Sequence, residues 1–230
     1  MKKKVELSVI LPVHNEEKGI QQFLTAVLNE IRSNNIISEV ICVENGSKDN
    51  SYQILKSLEK THPEITVIRS QTGWGNAVRK GIKKAGGSYV LYMVSDGQVD
   101  AKYISKSYNL ILKENVDMIK VSRTTRENTA RLINSRLYNF LARRMFGFES
   151  IDINGTPKIG KVHVFKNFSF HSHNITFDLE LLLKMKRYGY RWIEIPIKSK
   201  KRLLGVSTTN VKSAYEMLSY MVLSYMGAVK

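Results

Sequence analysis

Asp96 and Gln98 are the residues of this sequence whose types and spacing point most directly to chemistry. They follow the apolar run YVLYMV, residues 89–94, in a small turn-forming segment. Six such residues without polar alternation are typical of a strand covered on both faces, and open parallel sheets bind ligands beyond the carboxyl ends of their strands. Residues two apart in an extended segment point the same way, so both side chains would face one cation or metal-bound phosphate. On this segment alone, a solvated Ser-Asp-Gly turn is the favoured alternative.

Earlier segments repeat this plan of a buried strand, a polar loop and a helix. A strand over Val5–Val13 precedes the loop from His14 to Glu17 and a helix with apolar residues at helical spacing. Shorter strands are predicted at Val40–Val43 and Thr66–Arg69, each followed by a helix. This alternation predicts a parallel, doubly wound sheet with right-handed crossovers.

The second half of the chain has weaker periodicity, and its length of 230 residues fits one domain. We expect a nucleotide-binding half over residues 1–120 and an acceptor-binding half over 121–230. The elements predicted in the second half are a strand at Met118–Val121, a helix at Ala130–Phe146, a strand at Lys161–Phe165, a helix at Phe177–Arg187, a strand at Trp192–Ile197 and a helix at Val211–Val229.

The charge distribution indicates an anionic partner. The formal net charge is +16, and most of it lies in residues 120–144, with seven basic and one acidic residue, and 184–212, with nine and one. The one cysteine, Cys42, lies in the apolar run VICV and is expected to be a buried thiol in a reducing compartment. The N-terminus lacks the pattern of a signal peptide, and no segment is long and apolar enough to predict a membrane span.

Taken together, the motifs resemble the family 2 glycosyltransferases of GT-A fold, and within them the polyprenyl-phosphate sugar transferases such as dolichol-phosphate mannose synthase. The resemblance covers nearly the whole chain. Its motifs, in order, are VILPVHNEE, VENGSKDNS, GWGNAVRKGIKKAGGSYVLYM, SDGQ, DINGTPK, the segment with Asp178 and Glu180, EIPI, and R-x-x-G-x-S from Arg202 to Ser207. It implies an open, mostly parallel Rossmann-like α/β sheet with helices on both faces, and inverting sugar transfer from a GDP- or UDP-sugar to a polyprenyl or dolichyl phosphate.

The resemblance also assigns donor-binding residues. Glu16 fits a first-turn helix acid equally well, and for Asp49 a turn or helix cap is preferred. The expected donor-binding residues are Pro12, His14, Asn15, Glu16, Glu44, Asn45, Gly73, Gly75, Asp96, Gln98 and Arg123.

The metal segment departs from the family pattern. Val94 stands where the family commonly has its first carboxylate, and Glu44-Asn45 replaces a pair of aspartates. One carboxylate and one amide suffice when diphosphate oxygens and waters complete the octahedron, so we expect Mg²⁺ or Mn²⁺ at Asp96 and Gln98.

The acceptor determines which other groups are needed. An alcohol needs a general base, for which Asp152 and Asp178 are available, whereas a phosphate is already an oxyanion and needs cations to position it. We expect Asp96, Asp152 and Arg202 to be catalytic. The expected acceptor-binding residues are Arg131, Arg136, Lys158 and Arg202, while Arg143 and Arg144 are expected on a solvated face.

The apolar residues of the last predicted helix recur near helical spacing. This pattern fits a helix that lies on a membrane surface, and it fits equally well a helix that packs in the core or in a dimer. We expect a protein peripheral to the cytoplasmic face of an anionic membrane, with no nucleic-acid partner. The alternatives are a family 2 transferase acting on a sugar hydroxyl, a nucleotidyltransferase, and a nucleic-acid-binding protein. The last would bind oligonucleotides in a salt-dependent manner.

Overall fold

The computed structural model describes residues 4–125, 129–198 and 211–227, which form a seven-stranded sheet with helices on both faces. The strands are β1 (Leu7–Val13), β2 (Ser38–Glu44), β3 (Ile65–Arg69), β4 (Tyr89–Tyr92), β5 (Met118–Arg123), β6 (Lys158–Lys161) and β7 (Trp192–Ile197). The helices are α1 (Ile20–Ser33), α2 (Ser51–Thr61), α3 (Trp74–Lys84), α4 (Lys102–Lys113), α5 (Thr129–Phe146), α6 (Val162–Lys166), α7 (Phe177–Arg187) and α8 (Val211–Tyr225).

The strand order is β3-β2-β1-β4-β6-β5-β7. The pairs β1–β2, β1–β4, β2–β3 and β5–β7 are parallel. Strand β6 runs antiparallel to both of its neighbours, β4 and β5. The structure therefore confirms the predicted open, mostly parallel α/β sheet, and the antiparallel strand joins the two halves of the chain.

The apolar strand residues divide between two cores because successive side chains point to opposite faces. Leu11 of β1 packs with α1, α2 and α4 on one face. Ile10 packs with α3 and with helices of the second half on the other. Cys42 is fully buried, as expected, and burial raises the pKa of its thiol, so little of the reactive thiolate forms.

The predicted strand at Lys161–Phe165 is wrong. Residues 158–161 form β6, and Val162–Lys166 is the short helix α6. The chain turns at Lys161 so that the Phe165 ring lies over Gly160, where a Cβ would approach a ring carbon to 2.7 Å. A local apolar count cannot detect this reversal, since Val164 and Phe165 are buried in either conformation.

Helix α4 was missed from the sequence, although Ile104, Tyr108 and Ile111 are buried at helical spacing. The polar residues between them, Ser105, Lys106, Ser107 and Asn109, hide the pattern. In the described part of the chain, no helix combines the length and apolarity needed to cross a membrane.

Candidate active site

The predicted donor-binding residues converge at one edge of the sheet. Val13 at the end of β1 pairs with Glu44 at the end of β2, and Ile10 pairs with Tyr92 at the end of β4. Because β6 is antiparallel, its first residue, Lys158, lies opposite Tyr92 at the same edge. Loops from both halves of the chain therefore meet there.

The first two loops are joined by hydrogen bonds. The His14 Nδ1–H donates to the Asn45 carbonyl at 2.8 Å, and the Lys48 backbone N–H donates to Asn15 Oδ1 at 2.8 Å. Asn15 has φ +55°, a conformation that Asn tolerates better than most residues. Asp49 accepts from the backbone N–H groups of Glu17 and Ser51, in agreement with its preferred structural role.

Glu44 is almost completely buried and held by protein donors. The Ser47 backbone N–H and the Arg69 guanidinium donate to its two oxygens, the latter at 2.9 Å. Burial acts to raise the pKa of Glu44, but these donors outweigh it and lower the pKa below its ordinary value. The ionised carboxylate thus stabilises the loop beside Asn45, and its contact with base or ribose stays a prediction.

Gly73 and Gly75 allow two backbones to approach closely. A Cβ at Gly73 would collide with the carbonyl oxygen of His173, and one at Gly75 with that of Ser172. Gly73 also has φ +128°, which side-chain-bearing residues rarely adopt. This packing explains both glycines, and their proximity to a nucleotide stays a prediction.

Asp96 and Gln98 lie just beyond β4, as expected. The Gln98 backbone N–H donates to Asp96 Oδ1 at 3.0 Å, which closes a turn, and both residues are partly exposed. Across the described ranges, no cluster of three or more His, Cys, Asp and Glu residues could hold a metal by itself. One carboxylate and one amide still fit a hard cation that substrate phosphates and waters also bind.

Asp178 accepts hydrogen bonds from three side chains at the centre of this edge. The donors are Trp74 Nε1 at 3.0 Å, the Tyr92 hydroxyl at 2.8 Å and the Lys158 ammonium, which is fully buried. Burial lowers the pKa of Lys158, although Asp178 opposes the change. A fully buried ammonium that donates to Asp178 does not fit the acceptor-binding role predicted for Lys158.

Arg123 and Asp152 form a buried ion pair beside this cluster. The Arg123 Nε–H and backbone N–H both donate to Asp152 Oδ2, at 2.7 and 3.1 Å. Burial acts to lower the Arg123 pKa, but the Asp152 charge raises it overall, so the guanidinium is a permanent cation. A further guanidinium N–H donates to the carbonyl of Asn154 at 2.7 Å.

A cavity of about 240 Å³ lies between the end of β5 and α5. Arg123, Ser135 and Arg136 line it together with the apolar side chains of Leu132 and Ile151. Cationic and apolar groups around one cavity match the two parts of an amphiphilic anion.

The remaining predicted residues have varied positions. Pro12 is buried within β1, and its carbonyl accepts from the Ser95 hydroxyl at 2.8 Å. Glu16 precedes α1, and its backbone N–H donates to Ser51. Arg131 lies in α5, but the structure does not describe its side chain. Arg202 lies outside the residues that the structure describes. Arg143 and Arg144 are exposed, as expected.

Residues 8–170 match the sequence profile of glycosyl transferase family 2. The chain belongs to this family. The matched segment contains the loops after β1, β2 and β4 and also Asp96, Arg123 and Asp152. The family match therefore includes most of the polar residues that converge at this edge of the sheet.

Two curated relatives of this family 2 enzyme are dolichyl-phosphate beta-glucosyltransferases of Trichomonas vaginalis. The first is 26% identical over 98% of this chain and 76% of its own length. The second is 25% identical over 92% of this chain and 66% of its own length. The chain thus spans about two thirds to three quarters of these relatives.

Similar solved structures include glucosyl-3-phosphoglycerate synthase from Mycobacterium tuberculosis. Its complex with Mn²⁺, uridine diphosphate and phosphoglyceric acid has a TM-score of 0.75, 16% identity, and coverage of 96% of this chain and 78% of that one. Its complex with Mn²⁺, uridine diphosphate and glucosyl-3-phosphoglycerate has a TM-score of 0.73, 17% identity, and coverage of 96% and 80%. This likeness confirms the GT-A fold of the family 2 enzyme.

Several polar residues of this edge were missed as site residues. The predicted site residues did not include Trp74, Tyr92, Lys120 or Glu194. A lysine inside the apolar run MIKV was the available signal, because lysine is almost never fully buried without a partner.

Proposed function

We propose that this protein transfers glucose from UDP-glucose to a dolichyl or other polyprenyl phosphate with inversion at the anomeric carbon. The observation that carries the proposal is the cavity at the edge of the sheet that Arg123 and Arg136 line together with Leu132 and Ile151. The names of the Trichomonas vaginalis relatives support a lipid phosphate acceptor and glucose. The uridine nucleotides in the similar structures support UDP as the carrier.

The buried carboxylates favour a phosphate acceptor over a sugar hydroxyl. Asp152 is 1% exposed and paired with Arg123, and Asp178 is 2% exposed and accepts from three donors. Neither presents a free oxygen to an incoming hydroxyl. A phosphate monoester needs no such base, because its second pKa of about 6 leaves it an oxyanion at neutral pH.

In the proposed reaction, a phosphate oxygen of the acceptor attacks the anomeric carbon while the bond from that carbon to the UDP oxygen breaks. Arg123 was predicted to bind the donor, but it lines the same cavity as Arg136, so both are assigned here to the acceptor phosphate. With Arg131 and Arg202 as further candidates, they hold that phosphate by charge-assisted hydrogen bonds. Asp152 acts through Arg123, whose guanidinium it orients at 2.7 Å. Lys158 is fully buried and orients Asp178 by a hydrogen bond, so its ammonium does not itself reach the acceptor.

Charge develops on the leaving diphosphate at the donor end of the site. Asp96 and Gln98 are the residues that would hold Mg²⁺ or Mn²⁺ there, and such an ion neutralises the diphosphate charge. The likeness to structures that contain Mn²⁺ or Mg²⁺ supports this assignment. His14, Asn15 and Asn45 lie at the adjoining strand ends, where we place the base and ribose.

The exposed apolar residues support an approach to a membrane. Ile133, Leu137 and Phe140 of α5 are each more than half exposed, and α8 has a similar exposed set. Basic residues near an anionic leaflet each gain about 1 kcal/mol of binding energy. We therefore place the protein at the cytoplasmic face of an anionic membrane, where its acceptor would be embedded.

The direct test is transfer from radiolabelled UDP-glucose to a short-chain polyprenyl phosphate, compared with free polyprenol and an oligosaccharide. We expect labelled lipid phosphate and no product with either hydroxyl acceptor. A parallel binding panel of UDP-sugars and GDP-sugars, with and without Mn²⁺, tests the donor. Transfer to the oligosaccharide alone would refute the proposal and direct attention to Asp152 as a general base.

Arg202→Ala is expected to raise the KM for the lipid phosphate about tenfold or more, because a charge-assisted hydrogen bond to phosphate contributes roughly 1.5–3 kcal/mol. The KM for UDP-glucose should hardly change. Steady-state kinetics with each substrate varied in turn measures both values. Arg187→Ala removes an exposed arginine of α7 and serves as the charge-matched control. Equal effects of the two substitutions would remove Arg202 from the acceptor site.

A further inference from the structure

Lys120 is a fully buried lysine in the sheet that the proposed reaction does not use. Its ammonium lies within hydrogen-bond distance of four oxygens, which share its three N–H donors: the Asp152 carbonyl at 2.6 Å, Ser122 Oγ at 2.9 Å, Glu194 Oε1 at 3.1 Å and Ser150 Oγ at 3.2 Å. Two of these acceptors, Ser150 and Asp152, belong to the loop that borders the acceptor cavity. Lys120 therefore ties that loop to strand β5.

Glu194, in the neighbouring strand β7, holds the same loop from the other side. Its Oε2 accepts from the backbone N–H of Ile151 at 3.0 Å and from the hydroxyl of Ser122. The Lys120–Glu194 pair, although 74 residues apart in sequence, thus contacts three consecutive residues, Ser150, Ile151 and Asp152.

The loop over residues 150–152 is hydrogen-bonded to Arg123 through Asp152. The Asp152 carbonyl accepts from Lys120, while the Asp152 carboxylate accepts from the Nε–H and backbone N–H of Arg123. Ile151, whose backbone N–H donates to Glu194, contributes its side chain to the cavity wall. A shift of this loop would move both the cation and an apolar wall of the cavity.

We propose that Lys120 and Glu194 form a positioning ion pair, which holds Asp152, and through it Arg123, in place to bind the acceptor's phosphate. This inference rests on the proposed function, because it takes Arg123 as an acceptor-binding cation. Neither residue touches the substrate; both act on the loop over residues 150–152.

Stability alone is a weak reason for this pair. Replacing a buried ion pair by apolar residues of similar volume is often neutral or stabilising, because two charges no longer have to leave water. The hydrogen-bond partners of Lys120 lie in the loop over residues 150–152, in Glu194 and in Ser122. A geometric demand at the cavity accounts for this arrangement.

The pair also predicts a pH effect. Burial lowers the pKa of Lys120 from 10.5 to about 8, with Glu194 of β7 and Asp152 of the loop opposing the change and Lys158 of β6 adding to it. Above that pH, Lys120 loses its charge and Glu194 loses its cationic partner. The unfolded chain holds this proton more tightly than the folded protein does. This titration by itself therefore increases the free energy of unfolding as the pH rises from about 8 to 10.5. Loss of acceptor binding would therefore not come from unfolding at Lys120.

The experiment measures the KM for polyprenyl phosphate from pH 7 to 9 at saturating UDP-glucose. We expect the wild-type KM to rise about tenfold through pH 8, with kcat and the KM for UDP-glucose changing much less. The acceptor phosphate does not titrate there, since its second pKa is about 6. In Lys120→Met/Glu194→Gln, which removes both charges, KM should be high at pH 7, about tenfold to a hundredfold above wild type, and should no longer vary with pH.

Lys166→Met is the control, because Lys166 lies on α6 and donates to the Ala85 carbonyl. It should retain the wild-type profile. Lys120→Arg keeps its charge throughout the range and should abolish the rise with pH, which provides a test if the double variant does not fold.

An acceptor KM at pH 7 that stays at the wild-type value in Lys120→Met/Glu194→Gln, or a rise with pH that persists in both Lys120 variants, would overturn the inference. The inference and the function fail in different ways. Without any wild-type transfer to lipid phosphate, the proposed function is wrong. With normal transfer and no dependence on Lys120, only the positioning role is wrong.

Discussion

Asp96→Asn is expected to lower the rate of sugar transfer by about a hundredfold to a thousandfold, the effect typical of removing one electrostatic contact to developing charge. Asp96 lies just beyond β4, where its carboxylate would hold the cation at the leaving diphosphate. The fold should be unchanged, because asparagine retains the side-chain oxygen that accepts from the Gln98 backbone N–H. Initial rates with UDP-glucose and polyprenyl phosphate in Mn²⁺ buffer measure the loss.

Gln98→Ala serves as the comparison within the same turn. A neutral amide oxygen holds a hard cation more weakly than a carboxylate, so donor binding should weaken by less than in Asp96→Asn. Thermal unfolding of both variants should match the wild type. Full activity of Asp96→Asn would remove this residue from the mechanism, and unchanged donor affinity in Gln98→Ala would leave Gln98 as a turn residue.

Asp178→Leu is expected to lower the free energy of unfolding by about 3–5 kcal/mol, the cost typical of breaking a buried ion pair. The substitution leaves the Lys158 ammonium in a fully buried position without its carboxylate partner. It also leaves the Tyr92 hydroxyl and the Trp74 indole N–H without their acceptor. Urea unfolding measures the change as a lower midpoint with an unchanged m-value.

The double variant Lys158→Met/Asp178→Leu separates the charge from the hydrogen bonds. Removing both charges should recover a large part of the loss, because no ammonium remains buried. Recovery should be incomplete, since each unsatisfied polar group of Trp74 and Tyr92 still costs about 1–3 kcal/mol. A double variant no more stable than Asp178→Leu would show that the ion pair is not the source of the effect.

Local sequence patterns were sufficient for much of the fold. The apolar runs at β1 and β2 and the helical spacing in α1 predicted the alternation of strands and helices. These patterns are local because the residues that a strand or helix buries recur at a fixed spacing along the sequence. The helix α7 and strand β7 were predicted with their observed bounds. The same patterns placed Asp96 and Glu44 at strand ends, and parallel strands bring such ends to one edge.

The short antiparallel strand β6 lay beyond this kind of inference. Its four residues, KIGK, show no apolar run, and it forms by pairing with β4 and β5 on either side. The position of Lys158 beneath the site follows from that insertion, since Lys158 pairs with Tyr92 in β4 and Lys120 in β5.

By itself, the sequence determined the α/β alternation, the loops that carry Asp96, Glu44 and His14, and the resemblance to family 2 glycosyltransferases. Only the tertiary structure decided which charges pair: Lys158 with Asp178, Arg123 with Asp152, and Lys120 with Glu194. The physical reason is that local periodicity reports which side chains are buried. Partners 20 to 74 residues apart meet only after the strand order β4-β6-β5-β7 has formed.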